Sequence, residues 1–364
     1  MPIIIDSHED IAWNMLTFKR DYTRPLAETR RLEAGTQVPE RNGDTMLGWD
    51  AYQRGQVGVV FSTLFAAPAR KKELWDTLWY PDFDTARRLY RDQIQLYHKL
   101  TDSHPDQFRL ITSTKELDSV IGDWSSPALE GEGHPVGLVL LMEGAEGIRH
   151  PDELREWWEQ GLRMIGLAWL GTRYCGGTRE PGPLTDEGRR LLSAMADFNF
   201  ILDLSHMDEA SALESLDRYE GPLMASHANC AALMPGADTN RHLPDRVIEG
   251  LIERGGVIGS VPFNTFLKVG WSRQTGSRRE EVSLDAYIAH MDHVCQLAGN
   301  SLHAGIGSDF DGGFGLQSVP SGLESVADLQ TIASKLSERG YNQTDVENIL
   351  GGNWLRFLRE HLPA

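Results

Sequence analysis

Five separate stretches of this sequence place imidazole or carboxylate groups directly after short apolar runs. They are His8-Glu9-Asp10, Glu143, Asp203-Leu204-Ser205-His206, Ser226-His227 and Ser308-Asp309-Phe310-Asp311-Gly312. Imidazole and carboxylate together suit zinc and its first-row neighbours. His8 and Asp10 stand two apart, so on an extended chain they share a face and can serve one metal. His206 and His227, from neighbouring runs, can hold a second. Glu143 has two oxygens and can bridge the pair. Two metals about 3.5–4 Å apart form a hydrolytic clamp. A lone histidine at a strand end is more often a hydrogen-bonded core residue than a ligand. It is the coincidence of three of the twelve histidines with carboxylates on three strand ends that argues for metal. Asp203 and Asp311 remain open between two roles, supporting an imidazole or capping the next helix.

Such groups need a scaffold that brings distant segments to one place. Candidate strands lie at 2–6, 57–64, 137–142, 162–168, 200–204, 222–226, 256–261 and 303–308. Several are continuously apolar, as parallel strands covered by helices are. Helical stretches alternate with them at 84–101, 151–158, 185–198, 208–216, 244–253, 283–298, 324–338 and 343–361. Thr185 can cap the third of these, with Asp186 and Glu187 at the positive end of its dipole. The alternation predicts an α/β fold, and eight strands favour a closed (β/α)8 TIM barrel over an open sheet. In that fold the C-terminal strand ends face a common cleft, so all five stretches would meet. We expect one domain over 1–364, with an insertion around 20–56 and a long loop at 262–282.

Composition narrows the partners. The 364 residues are 40% hydrophobic, enough for a large core, and the net charge of −18 argues against nucleic acid and anionic membrane. No run approaches the length of a membrane helix, and no basic, then apolar leader is visible. Cys175, Cys230 and Cys295 are too few and scattered for a disulfide framework, so a cytoplasmic location is expected. No serine-hydrolase elbow appears, no cysteine has a histidine beside it, and the paired glycines lack phosphate-loop spacing. Gly351-Gly352 reads as a break or kink in the last helix, and Trp157 and Trp354 as helix packing.

With these residues in view, the sequence resembles the membrane (renal) dipeptidase family, peptidase family M19 of the amidohydrolase superfamily, in its soluble bacterial form. The likeness runs from residue 3 to about 360. Its motifs are D-x-H-x-D at 6–10, Met142-Glu143-Gly144, L-T-x-x-G-R at 184–189, D-L-S-H at 203–206, S-H at 226–227, N-R-x-x-P-D at 240–245 and G-S-D-F-D-G at 307–312, then V-P-S-G-L-E at 319–324 and I-L-G-G-N-W at 349–354. The resemblance implies a (β/α)8 barrel with two zinc ions, other divalent metals being possible. His8, Asp10 and Glu143 would bind one, and Glu143, His206 and His227 the other. Arg241 would contact the substrate and its tetrahedral intermediate, and Asp309 would transfer the proton. The substrates implied are dipeptides, often with a C-terminal D-residue, and β-lactams for some members. A homodimer is implied as well.

One position departs from many members of that family. Trp169, in Leu167-Ala168-Trp169, stands where they carry a histidine that contacts the scissile carbonyl. Losing such a donor is worth about 10²–10³ in rate by analogy with oxyanion holes. Arg173, Tyr174 and Arg241 are the candidates to replace it, so Trp169 and Tyr174 join Arg241 as expected substrate contacts. Three other readings stay open: a two-metal hydrolase of another amide or lactam, a non-catalytic binding member of the family, and a metal-free barrel whose histidines act as acids and bases.

Overall fold

The computed structural model describes residues 2–126 and 133–364. Eight parallel strands form a barrel wall: β1 (Ile4–Glu9), β2 (Val57–Leu64), β3 (Val136–Glu143), β4 (Leu162–Gly166), β5 (Ile201–Asp203), β6 (Leu223–Met224), β7 (Ile258–Ser260) and β8 (Ala304–Ile306). Neighbours run β6-β5-β4-β3-β2-β1-β8-β7. A single parallel bridge, Ala225 to Ile258, links β6 to β7 and completes the circle. First and last strands pair with Asp6 opposite Ile306. A short extra strand, Phe108–Leu110, pairs with the first residues of β3. This is the expected α/β barrel.

Period-two alternation explains how one strand serves two layers. Ile5, Val59, Phe61, Val139, Leu141, Met164, Ile201, Met224 and Val257 form one buried cluster with Trp354, Phe357 and Leu358. The intervening Ile4, Val60, Leu138, Leu140, Ile165, Leu202 and Ile258 belong to a larger cluster that includes the helices. Both faces are apolar, which is why the strands read as unbroken apolar runs. The C-terminal end closes the barrel's base. There Trp354 Nε1 donates to the Ile306 carbonyl at 3.1 Å. A side chain on Gly305 would put its Cβ 2.4 Å from that nitrogen, so the strand must carry glycine.

Most predicted helices form within a residue or two of their expected ends. The helix Asp186–Asp197 is capped as expected, the Thr185 hydroxyl accepting from Gly188 N at 3.1 Å. The last predicted helix is interrupted: Gln343–Glu347 and Asn353–His361 flank a π-helical turn at Asn348–Gly352. Gly351 allows the Ile3 carbonyl to approach there, since a Cβ would lie 2.4 Å from it. β1 runs three residues beyond its expected end because Glu9 pairs with Ser62 again after an irregularity that follows Asp6. β5 to β8 are shorter than expected at both ends, and just beyond β5 and β8 His206 and Asp309 take left-handed conformation (φ 66° and 55°). Segment 20–56 is helical, with Leu26–Glu33, Val38–Arg41 and Trp49–Gly55. A helix at Thr114–Trp124 has no counterpart in the expectation. Within 169–184 an antiparallel hairpin pairs Cys175–Gly177 with Glu180–Leu184. Segment 262–282 holds three single 3-10 turns, in keeping with a long loop. Among the described residues no helix is long and apolar enough to cross a membrane.

Candidate metal centre

Glu143 is the last residue of β3, and its Oε1 is the focus of the cleft. His206 Nε2 lies 3.1 Å from it, His227 Nε2 3.4 Å and His8 Nε2 4.0 Å. The Nε2 atoms of His206 and His227 are 3.0 Å apart. On the other side His8 Nε2 is 3.9 Å from Asp309 Oδ1. Two overlapping groups offer ligand atoms within 4.8 Å of one another: His8, Glu143 and His227, and His8, Asp10 and Asp309. The structure thus brings together all five residues expected as ligands and adds Asp309 at ligand distance.

Burial sets the charge state of this cluster. Desolvation, reinforced by the Arg241 charge, holds the His8 and His206 imidazoles well below their usual range. His227 is lowered by burial and by the neighbouring His8, Arg241 and His206. All three are therefore neutral, the form that binds metal. Burial raises Glu143 and Asp309 well above the ordinary carboxylate range, with Asp10 adding to each. Burial pushes Asp10 to about 6, with the Thr63 hydroxyl opposing. His8 Nε2 is buried without a hydrogen-bond partner, although buried polar atoms are almost always paired. Neutral imidazoles with bare nitrogens facing crowded carboxylates are the donor set of a zinc site, and divalent cations would relieve both strains. The residues present fit bound divalent metal.

Hydroxyl groups orient the rings from behind. Asp203 accepts from Ser205 N at 2.9 Å, Ser226 N at 2.8 Å and Ser226 Oγ at 2.5 Å. With its O–H donating to Asp203, Ser226 Oγ can only accept from His227 Nδ1, 2.8 Å away; His8 Nδ1 lies 3.3 Å from the same oxygen. A proton on Nδ1 leaves Nε2 bare towards Glu143. Thr178 Oγ1 stands 3.0 Å from His206 Nδ1 and does the same there. Asp203 therefore supports an imidazole, through a serine. Asp311 does neither of the things expected of it. Its carboxylate accepts from Tyr22, Thr45 and Met46 N, tying the barrel to segment 20–56. Ser226 and Thr178, which support rings, and Thr63, which supports the Asp10 carboxylate, are not distinguished by the sequence. Only Ser226 carries a signal, its place beside His227.

The expected substrate contacts divide. Arg241 is 3% exposed and donates Nη2 to the His227 carbonyl at 2.6 Å. Its Nε and Nη1 are buried and donate to nothing in the protein. Such a guanidinium suits an anionic oxygen. Trp169 packs edge-on against Phe65 (5.0 Å between ring centroids) and 6.4 Å from the His206 ring. With Pro68, Tyr80, Tyr90 and Glu143 it lines a narrow cleft. Tyr174 corrects the expectation: its hydroxyl donates to the Ile148 carbonyl and accepts from Arg173, so it braces its loop instead of facing the cluster. Arg173 is spent likewise, on the Ile148 carbonyl and over the Phe83 ring.

Residues 1–362 match the profile of the membrane dipeptidase family, peptidase family M19. The dipeptidase tcpJ of Claviceps purpurea is 27% identical over 318 residues, 84% of this chain and 67% of that one. An uncharacterised Klebsiella pneumoniae protein from the pqqA 5′ region is 30% identical over 238 residues, 63% of this chain and 83% of its own length. Among solved structures, a metallopeptidase from Rhodobacter sphaeroides, liganded with a phosphinate mimic of L-Ala-D-Ala, has a TM-score of 0.74 at 23% identity over all of both chains. The probable dipeptidase PvdM from Pseudomonas aeruginosa gives 0.75 at 20%, covering 99% of this chain and 96% of that one. The two structural likenesses concern the fold.

Proposed function

This chain belongs to peptidase family M19 and is a metallo-dipeptidase, and from that premise we propose that it works with two zinc ions on dipeptides, including those with a C-terminal D-residue. The observation that carries the reading is Glu143 Oε1 facing three neutral imidazoles, one of them with an unpartnered Nε2. Two zinc ions would supply a hydroxide at neutral pH and polarise the scissile carbonyl. His8 and Asp10 would hold one ion and His206 and His227 the other, with Glu143 able to contribute to both. Asp309 takes the proton of the attacking water and delivers it to the leaving amine. Arg241 binds the substrate carboxylate or the oxygen that gains charge, using its free Nε and Nη1. The dipeptide mimic held by the Rhodobacter sphaeroides neighbour supports this class of ligand. Free, buried Cys175, Cys230 and Cys295 support a reducing compartment, and we place the protein in the cytoplasm.

Trp169 favours a second reading, the same centre acting on another amide or a lactam, since an indole ring lines the cleft beside Glu143. A panel of L-Xaa-L-Xaa and L-Xaa-D-Xaa dipeptides, given to zinc-loaded protein with and without chelator, separates the two. We expect chelator-sensitive cleavage. Two bound zinc ions per chain with no dipeptide cleaved would discard the dipeptide and keep the centre.

A further inference from the structure

We infer that Asn14, Arg20 and Asp311 form a strut that sets the spacing of the Asp10 and Asp309 carboxylates, making segment 20–56 a positioning element of the metal centre. The inference rests on the two-metal reading above.

The strut begins at one amide nitrogen. Asn14 Nδ2 donates to the carbonyls of both Asp10 and Asp311, each at 2.9 Å. It therefore spans the end of β1 and the turn after β8, which are nearly 300 residues apart in sequence. The amide is itself fixed: its Oδ1 accepts from Arg20 Nη1 at 2.9 Å and Asn42 Nδ2 at 2.8 Å. Asn42 Nδ2 also lies 3.1 Å from the Asp311 carbonyl.

The Asp311 carboxylate anchors the far end. Oδ1 accepts from Met46 N at 2.8 Å. Oδ2 accepts from Thr45 Oγ1 at 2.5 Å and Tyr22 Oη at 2.9 Å, and pairs with Arg20 Nη1 at 3.0 Å. Arg20 is held in turn by Glu33 and by the Gly43 carbonyl. Asn14, Asn42, Thr45 and Asp311 are fully buried, and Arg20 and Tyr22 nearly so. Charge-assisted bonds shielded from water are strong, and a network of them resists rearrangement.

That rigidity reaches the ligands through a short piece of backbone. Asp309 and Asp311 both have left-handed φ, 55° and 65°. Non-glycine residues keep such conformations only where their surroundings impose them. A Cβ on the next residue, Gly312, would lie 2.0 Å from Asp309 Oδ1 and 2.9 Å from Asp10 Oδ2. The turn that Asp311 anchors is thus packed directly against both carboxylates. A shift of a few tenths of an ångström in the turn moves one relative to the other.

Cobalt(II) titration of the metal-free full chain, followed by its visible absorption, tests this without substrate. Asn14→Ala and Asp311→Asn should each weaken the more weakly held ion by about 10–100-fold, the usual effect of residues that orient ligands. Their kcat on dipeptides should fall further than KM rises. Glu40→Gln, exposed on the same segment and outside the network, should leave cobalt affinity unchanged. Because Asp311→Asn disturbs a buried ion pair and risks misfolding, Asn14→Ala, which leaves that pair intact, is the deciding variant. Asn14→Ala folding and titrating like wild type overturns the strut. A wild-type chain that takes up no cobalt overturns the two-metal reading itself. A wild-type chain that binds cobalt and cleaves no dipeptide overturns only the substrate, and the titration still decides the strut.

Discussion

The two sides of the metal centre hold their groups by different means. On the β5–β6 side everything is local. His206 and His227 take their ring orientation from Thr178 and Ser226, and Asp203 fixes Ser226. All of these lie between residues 178 and 227. On the β1–β8 side His8 and Asp10 must meet Asp309 across the whole sequence: Thr63 holds the Asp10 carboxylate, Asn14 ties the Asp10 and Asp311 backbone together, and segment 20–56 anchors Asp311 through Arg20. Both sides use one common device, a buried aspartate that accepts from the N and Oγ of a serine on a neighbouring strand. Asp203 does so with Ser226, and Asp6 with Ser308 at 2.7 and 2.5 Å. Only Ser226 goes on to touch imidazoles. The β5–β6 side thus governs which nitrogen of a ring is bare, and the β1–β8 side governs distance.

Glu143 joins the two sides, so its loss should have the largest effect. Glu143→Ala should abolish turnover and bring the metal content below two per chain, read by elemental analysis of purified protein. Full activity in that variant would mean the two sides work independently. Asp309→Asn comes next: kcat should fall about 10²–10⁴-fold, as for a lost general acid–base group. Metal content should stay near wild type, and an active asparagine variant would remove Asp309 from proton transfer. Ser226→Ala should weaken metal binding about 10–100-fold, measured by chelator competition, because His227 loses its orienting oxygen. Ser308→Ala should have the smallest effect on the centre. It leaves Asp6 short of a donor and should cost about 1–3 kcal/mol in urea unfolding, with metal affinity unchanged. Equal losses of affinity from the two serines would erase the distinction between the sides.

The barrel and the ligands are legible in the sequence because each has a local signature. The run 57–64 is apolar on both faces and forms β2 with those bounds. Thr185 announces its helix by its own capping chemistry. The residues of the cluster are legible because imidazole and carboxylate, costly to bury, recur at the ends of run after apolar run. The helix Thr114–Trp124 also carries a readable sign, Ser113 three residues before Glu116, whose N it caps. The supports are illegible for a physical reason. Thr178 is 28 residues from His206, Thr63 53 from Asp10, and Thr45 266 from Asp311. No spacing links such pairs until the barrel closes. Tyr174 departs from expectation for a related reason: sequence places a ring in a loop and does not say which way it points.

The pairing of the first strand with the last also has a consequence in time. His8 and Asp309 are made about 300 residues apart, which at ~5–20 residues per second is roughly 15–60 s of synthesis. Throughout that interval the nascent chain carries imidazoles and carboxylates with no β8 to gather them, and β1 lacks a neighbour on one side. The half of the centre that holds His8, Asp10 and Asp309 therefore assembles only when β8 docks, after the β5–β6 half has its residues in hand. A chain stopped before that point leaves the β8-facing edge of β1 open and lacks Asp309.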